Sequence, residues 1–325
     1  MATIKDVAKM AHVSVATVSR VINQKGYVNE DTKRLVMEAI EELNYVPNEL
    51  ARSLFQKKSH IIALVLPHLT SYYFSDLLEV IEDEVIKNNY RLMICNSKDD
   101  PEKESKYLKI FEQYNVDGII LLANTNRIED YKKLNIPIIE IDHNLSDDIP
   151  SIASNNFLGG KLAADTLLKG GCKNILHFRG PSGLVTVQER TRGFNSVIEG
   201  ENTKVFSYDL AFLKPDKKAI EETIKNHLDA DGIFCESDVI AMLVIQALKK
   251  LGKSVPNDVQ VIGFDNIQLA CMMEPNITTI EQSSEKIGKT AIKMIMNLIS
   301  GNTLESFNKI IDVKLIERET TKKSL

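Results

Sequence analysis

The sequence predicts two fold classes in one chain: an all-α helix-turn-helix head, residues 1–46, and an α/β core, residues 60–325, of two doubly wound parallel-sheet subdomains. Three observations predict it. The first 46 residues read as three short amphipathic helices joined by tight turns. From Ile61 onward, short apolar runs alternate with helix-length amphipathic segments, the rhythm of parallel strands covered by helices on both faces. At 325 residues the chain is also too long for one ordinary domain and suits two or three.

In the head, Thr3 followed by Asp6 reads as a helix cap, with Val7, Ala8 and Ala11 on one helical face. His12-Val13-Ser14 is a tight turn, and Ser14 is a second cap candidate. The next helix spans Val15 to Asn23 and offers Val18, Val21 and Ile22 for inward packing. After the loop at Gly26 a third helix runs from about Glu30 to Leu43, with Leu35, Val36, Ile40 and Leu43 at helical spacing. Two helices joined by a three-residue turn and backed by a third make the helix-turn-helix arrangement. Pro47 stops the third helix, and residues 47–59 form a linker able to fold as one short helix.

In the core, strands are expected at Ile61–Leu66, Arg91–Asn96, Gly118–Leu122, Pro137–Ile141, Asn174–Phe178, Gly232–Cys235 and Gln260–Phe264. Helices are expected at Phe74–Asn89, Glu102–Tyr114, Leu158–Lys169, Ser237–Leu251 and Ser283–Ile299. The two subdomains divide near residues 142–155, with the chain crossing again near 270–285. The basic tail Thr320–Leu325 is expected to fray.

Charge is distributed unevenly. Residues 1–60 hold nine Lys and Arg against seven Asp and Glu, while the remainder holds 31 against 38. A mildly basic head on an acidic body suits a nucleic-acid reader attached to a sensor, because phosphate contacts need positive charge only locally. No apolar run approaches the roughly 18 residues of a membrane span. The amino terminus carries Asp6 and no apolar signal core, so export is not expected. Cys95, Cys172, Cys235 and Cys271 are widely separated, which argues for a reducing cytoplasm over a disulfide framework or zinc site.

The head motifs resemble a known family. Thr3-Ile4-Lys5-Asp6-Val7-Ala8, the run Val13 to Asn23, and Leu43-Asn44-Tyr45-Val46-Pro47-Asn48 followed by Ala51-Arg52-Ser53-Leu54 are similar to the signature of the lactose-repressor (LacI/GalR) family. The likeness continues in Asp117-Gly118-Ile119-Ile120, Gly159-Gly160, Gly180-Pro181 and Gly263-Phe264-Asp265-Asn266. It implies a core like the periplasmic sugar-binding proteins and a homodimer on pseudo-palindromic double-stranded operator DNA. The second helix would enter the major groove with Val15, Ala16 and Arg20 toward base edges, Arg20 matching guanine O6 and N7. Ser14, Thr17 and Ser19 suit phosphate oxygens, and Thr3, Asn23 and Tyr45 complete the contacts expected from the head. In the linker, Leu54 takes the position of a leucine wedged into the minor groove, Ala51 lets two hinge helices pack, and Asn48 and Arg52 would contact phosphate or groove. The competing reading of the linker is a flexible tether.

For the core the resemblance implies a small-sugar site. Tyr73 and Phe74 follow the first strand, where a parallel sheet places ligands. Arg190 and Asp265 align with the family's sugar-binding arginine and aspartate, and Thr186, Ser237 and Asp238 line the same edge by alignment. Structural alternatives stand beside these: Phe74 as core packing, Asp265-Asn266 as a turn, Arg190 in a surface ion pair. The chain departs from the wider family at Leu213, with Phe212 beside it, where relatives often carry a stacking aromatic, and at Leu158 and Ser154, where some carry acids. Gly26-Tyr27-Val28, Pro47-Asn48-Glu49, Asn96-Ser97, Lys103 to Leu108 and Arg179-Gly180-Pro181 are similar to Gram-positive ribose operon repressors. That makes ribose the expected effector, with sucrose or another sugar or sugar phosphate as competitor.

Doubly wound folds also host enzymes. No Gly-x-Gly-x-x-Gly or phosphate-loop pattern follows a strand, the six histidines lack metal spacing, and Ser182 is not in a nucleophile-elbow pattern. No catalytic residue, metal or cofactor is therefore expected. A secreted sugar-binding protein is the other competitor, opposed by the missing export signal and the fused head.

Overall fold

In a computed structural model the described residues are 2–23, 26–45, 58–122, 128–142 and 146–322, and they fall into two units, residues 1–59 and 60–325. The first unit starts with a reciprocal cap: the Thr3 hydroxyl accepts from the Asp6 N–H while the Asp6 carboxylate accepts from the Thr3 N–H at 2.8 Å. That cap opens helix α1 (Ile4–Met10). His12 turns the chain at φ 52°, and Ser14 Oγ accepts from the Thr17 N–H at 3.1 Å to open α2 (Val15–Asn23). Asn29 caps α3 (Glu30–Glu42) through the Asp31 N–H. Val7, Ala8, Ala11, Val18, Val21, Val36 and Ala39 meet in one small core. Leu35 does not join them; it is 47% exposed, because the buried stripe of α3 runs through Val36, Ala39 and Ile40.

The second unit holds two six-stranded sheets. Chain order gives β1 (Ile61–Leu66), β2 (Arg91–Asn96), β3 (Gly118–Leu121), β4 (Ile138–Ile141), β5 (Ser151–Ser154) and β6 (Asn174–Arg179). Then follow β7 (Lys204–Asp209), β8 (Gly232–Cys235), β9 (Gln260–Asp265), β10 (Thr278–Glu281), β11 (Asn308–Ile311) and β12 (Lys314–Ile316). The first sheet has the order β2-β1-β3-β4-β5-β11 and is parallel throughout. The second repeats it as β7-β6-β8-β9-β10-β12, with β12 antiparallel to β10. The central strands β1, β3, β4 and β8 are buried along almost their whole length, as parallel strands covered on both faces must be.

Helices α4 (Tyr72–Lys87), α5 (Pro101–Tyr114) and α6 (Ile128–Lys132) lie between strands of the first sheet. Helices α7 (Asn156–Lys169), α8 (Val185–Ile198), α9 (Lys217–Asn226) and α10 (Asp238–Lys250) belong to the second. Helix α11 (Ser284–Ile299) follows β10 but returns to the first lobe, where Ile287, Ala291, Ile292 and Ile295 pack with Leu77, Ile81 and Val85 of α4. Among the described residues no helix is long and apolar enough to cross a membrane.

The chain passes between the sheets three times: after Ser154, between Glu281 and Ser284, and between Ile311 and Lys314. The third passage had no counterpart in the sequence reading. The strands flanking the passages are three or four residues long and carry polar residues, such as Ser151-Ile-Ala-Ser154 and Thr278-Thr-Ile-Glu281, so no apolar period marks them. Edge strand β7 and helices α8 and α9 were likewise not expected. The tail also departs from expectation through residue 322. Thr320 is fully buried, donating its hydroxyl to Val261 O at 2.7 Å and accepting from the Thr278 N–H at 2.8 Å, while the Thr321 hydroxyl meets that of Thr278 at 2.9 Å.

Candidate functional site

In both sheets the strand order reverses between strands one and three of the lobe, which is where open parallel sheets receive ligands at their carboxyl ends. The residues at those ends converge in the second unit. Asp142 follows β4 at φ 59°, and Asp265 ends β9 at φ 108° with Asn266 at φ 58°. A non-glycine residue at φ 108° is strained, and such conformations persist where surrounding contacts over-determine them. Here the Asp265 carboxylate accepts a 2.6 Å bond from Gln282 Nε2, on the second passage between the lobes.

Tyr73, in the first turn of α4, is buried and donates its hydroxyl to Asp142 Oδ2 at 3.1 Å; Asp142 Oδ1 accepts from the Ser154 N–H at 3.2 Å. Burial, with Asp142 and Asp265 nearby, pushes the phenol pKa well above its usual value, so Tyr73 is a donor at any physiological pH. Arg190, on α8 and 4% exposed, donates from Nε to Asn156 Oδ1 and from Nη1 to Glu236 O, both at 2.8 Å. Its guanidinium carbon lies 3.7 Å from the centroid of the Phe264 ring and 6.0 Å from that of Phe212. Among the described residues Nη2 has no protein partner. Desolvation raises the Asp265 pKa to about 7; Arg190 and the Gln282 bond oppose the rise, and Asp142 and Asp76 add to it.

Glycines allow this packing. A Cβ on Gly160 would collide with the Arg190 carbonyl and lie 2.7 Å from Phe194 N, and one on Gly193 would collide with the Phe157 carbonyl. Helices α7 and α8 therefore touch backbone to backbone, which holds Arg190 over Asn156. A Cβ on Gly180 would strike the Phe212 ring, so that ring fills the space beside Arg190. Of the adjacent pair, Phe212 and not the 38% exposed Leu213 comes near the guanidinium, whose closer aromatic neighbour is Phe264.

Of the expected effector residues, Tyr73, Arg190 and Asp265 come together electrostatically. Phe74 is half-buried, its ring 5.6 Å from that of Tyr73, and packs on the first-lobe core. Thr186 is half-buried in the first turn of α8. Asp238 is fully buried and its carboxylate accepts from the Thr279 hydroxyl at 2.6 Å and the Ile267 N–H at 2.9 Å. The missing side chain of Gly263 leaves room for it underneath the strand. Ser237 is buried as well and caps α10 by accepting from the Ile240 N–H at 3.3 Å.

Sequence reading missed Asp142, Gln282, Asn156, Phe264 and Phe212 as neighbours of this cluster. Asp142 was findable, since it directly follows an expected strand. Gln282 was not, because β10 was not recognised.

In the first unit, Ser14, Val15, Ala16 and Arg20 are exposed on one side of α2, while Val18 and Val21 are buried on the other. Thr17 and Ser19 are half-buried; the Ser14 and Thr17 hydroxyls are 2.9 Å apart, and Asn23 Nδ2 donates to Ser19 O at 2.8 Å. Thr3 is exposed at the α1 cap, and Tyr45 packs partly buried against the core of the head. Asn48, Arg52 and Leu54 lie outside the described residues.

Comparison with known proteins agrees with both units. Residues 3–48 match the family model described as bacterial regulatory proteins, lacI family, and residues 59–319 match that of periplasmic binding proteins and sugar binding domain of LacI family. A ribose operon repressor of Halalkalibacterium halodurans is 39% identical over 99% of this chain and 98% of its own length. A sucrose operon repressor of Streptococcus mutans is 37% identical over 92% of this chain and 93% of its own. The crystal structure of a periplasmic binding protein/LacI transcriptional regulator from Alkaliphilus metalliredigens, complexed with D-xylulofuranose, superposes with a TM-score of 0.74 at 33% identity, covering 81% of this chain and 100% of that one. With family models covering both units and relatives aligned nearly end to end, this chain belongs to the LacI family of bacterial regulatory proteins.

Proposed function

We propose that this protein is a cytoplasmic transcriptional repressor of a sugar-utilisation operon, released from its operator by a small sugar, ribose being the favoured effector, and that it carries no catalytic activity. The head reads DNA: Val15, Ala16 and Arg20 face base edges, and Ser14, Thr17, Ser19, Thr3, Asn23 and Tyr45 hold the backbone and register. In the linker Leu54 is the minor-groove wedge, with Asn48 and Arg52 beside it. A homodimer sets two heads on a pseudo-palindromic site, since two-fold protein symmetry requires two-fold DNA.

The observation that carries the reading is the wiring of the two central charged groups of the cleft. Arg190 bonds Asn156 on the first passage between lobes, and Asp265 bonds Gln282 on the second. A sugar held by Arg190 and Asp265 therefore pulls directly on the strands that set the angle between lobes. The DNA-linked state and the sugar-closed state then differ in stability, by about 1–3 kcal/mol for a typical coupling. The name of the Halalkalibacterium halodurans relative favours ribose; that of the Streptococcus mutans relative supports sucrose as the second reading.

The test is gel retention of the operon's operator, titrated with ribose, sucrose and other sugars. Release by ribose alone is the expected result. Unchanged retention across all pentoses sinks the ribose assignment. In a parallel arm, Leu54→Ala should weaken specific operator binding and leave sugar affinity nearly unaltered; equal loss of both would mean that the linker is not a hinge helix.

A further inference from the structure

One of the two acceptors that hold Arg190, the carbonyl of Glu236, belongs to a residue whose own side chain is buried deep in the second lobe. Glu236 directly follows β8 and is fully buried. Its carboxylate takes hydrogen bonds from three places. His177 Nε2, on β6, meets Oε1 at 3.1 Å; the Thr191 hydroxyl, on α8, donates to the same oxygen at 3.3 Å; and the Gly180 N–H donates to Oε2 at 3.2 Å. Resting on the sugar-sensor reading above, we infer that His177 and Glu236 are a positioning pair for Arg190, setting the affinity of the sugar site from beneath it without touching the sugar.

Glu236 grips the arginine's surroundings by two routes. Its backbone oxygen accepts from Arg190 Nη1 at 2.8 Å, and its side chain holds Thr191, the next residue of α8. A third contact reaches the aromatic side of the guanidinium. The Gly180 backbone, fixed by Oε2, is the surface against which the Phe212 ring packs, and that ring lies 6.0 Å from the guanidinium carbon. A shift of the Glu236 carboxylate therefore moves a hydrogen-bond acceptor, the helix and a ring of the site together.

His177 fixes that carboxylate. It is fully buried, with its ring centroid 4.7 Å from that of Phe194 and 4.8 Å from that of Phe234. Phe194 is one turn beyond Arg190 on α8, and Phe234 lies 6.5 Å from Phe264, whose ring carries the guanidinium. Among the described residues Nδ1 is buried without a partner, so the polar tie of the ring is the one from Nε2 to Glu236. Two apolar side chains would fill this space without the cost of desolvating a carboxylate and an imidazole. What they could not supply is direction. Hydrogen bonds fix the orientation of the Glu236 peptide, and a binding group needs such a supporting layer to stay within a fraction of an ångström of its productive place.

The experiment is calorimetric titration of the full-length protein with D-ribose and with sucrose, alongside thermal unfolding, for the wild type, His177→Leu and His177→Gln. Leu keeps apolar bulk and removes the donor; Gln gives up the ring stack and keeps an N–H donor near the place of Nε2. For the sugar that the wild type binds, His177→Leu should bind roughly tenfold more weakly, the equivalent of one hydrogen bond to a charged group. His177→Gln should stay within about threefold of the wild type, even though the lost ring stacking lowers its Tm. That separation of affinity from stability is what packing alone would not produce. Wild-type affinity in His177→Leu, or an affinity that falls in step with Tm in both variants, overturns the inference and leaves the sugar-sensor reading intact. No heat from either sugar with the wild type removes the sugar-sensor reading and this inference with it.

Discussion

Replacing Asp238 by Asn tests whether this buried acid is a structural proton store or a ligand residue. Its carboxyl is fully buried and its pKa is raised to about 8, first by desolvation and then by Asp265; the bonds from Thr279 and Ile267 and the charge of Arg318 oppose the rise. In the unfolded chain the group returns to about 3.8. Between these values the native state binds the extra proton, so stability must fall as pH rises, and the loss is complete only above the folded value. The difference corresponds to about 6 kcal/mol over the whole interval, most of it between pH 5 and pH 8. For a core of this size that is a fall in Tm of roughly 10 °C attributable to one carboxyl.

Asn is a close mimic of the neutral acid. Its Oδ1 can accept from the Ile267 N–H, and its amide can donate to the Thr279 hydroxyl, which then acts as acceptor. Asp238→Asn should therefore match the wild type near pH 5 and exceed it in Tm by several degrees at pH 8, with sugar affinity nearly unchanged. Thermal unfolding followed by circular dichroism across that range, with calorimetric sugar titration at each end, measures both. Parallel Tm curves for the two proteins would refute the reasoning. So would a loss of sugar affinity without any change in the pH slope, which would return Asp238 to the cleft edge.

Two further substitutions probe the scaffold. Gly160→Ala must force α7 and α8 apart, costing at least about 1–3 kcal/mol of stability; it should also displace Arg190 and weaken sugar binding, and an unchanged Tm with unchanged affinity would contradict the backbone contact. Thr3→Ala removes the reciprocal cap of α1 and should cost the head about 1 kcal/mol, seen as an earlier melt of the isolated head signal and weaker operator binding while calorimetric sugar affinity is retained.

The head was legible because everything that builds it is local. Thr3 and Asp6, or Ser14 and Thr17, are three residues apart, and the buried faces of α1 and α2 follow from helical period alone. Leu35 shows where locality ends: the period admits it to the stripe, but only the packing of α3 decides that Val36 and Ala39 face inward. The family likeness, carried by motifs such as Val13 to Asn23 and Gly263 to Asn266, named Arg190 and Asp265 without showing what holds them.

By itself, then, the sequence determined a helix-turn-helix head, an α/β core with central strands as unbroken apolar runs, and the arginine and aspartate proposed for the effector site. The tertiary structure alone decided the three passages between lobes, the burial of Asp238 and the joining of Asp142, Gln282 and Asn156 to that site. The reason is sequence separation. The partners of Asp238 lie 41 and 29 residues away, and Arg190 reaches Asn156 across 34. A parallel sheet pairs strands that are distant along the chain, so whether a polar residue ends buried, bonded or open to a ligand depends on segments that no local pattern connects to it.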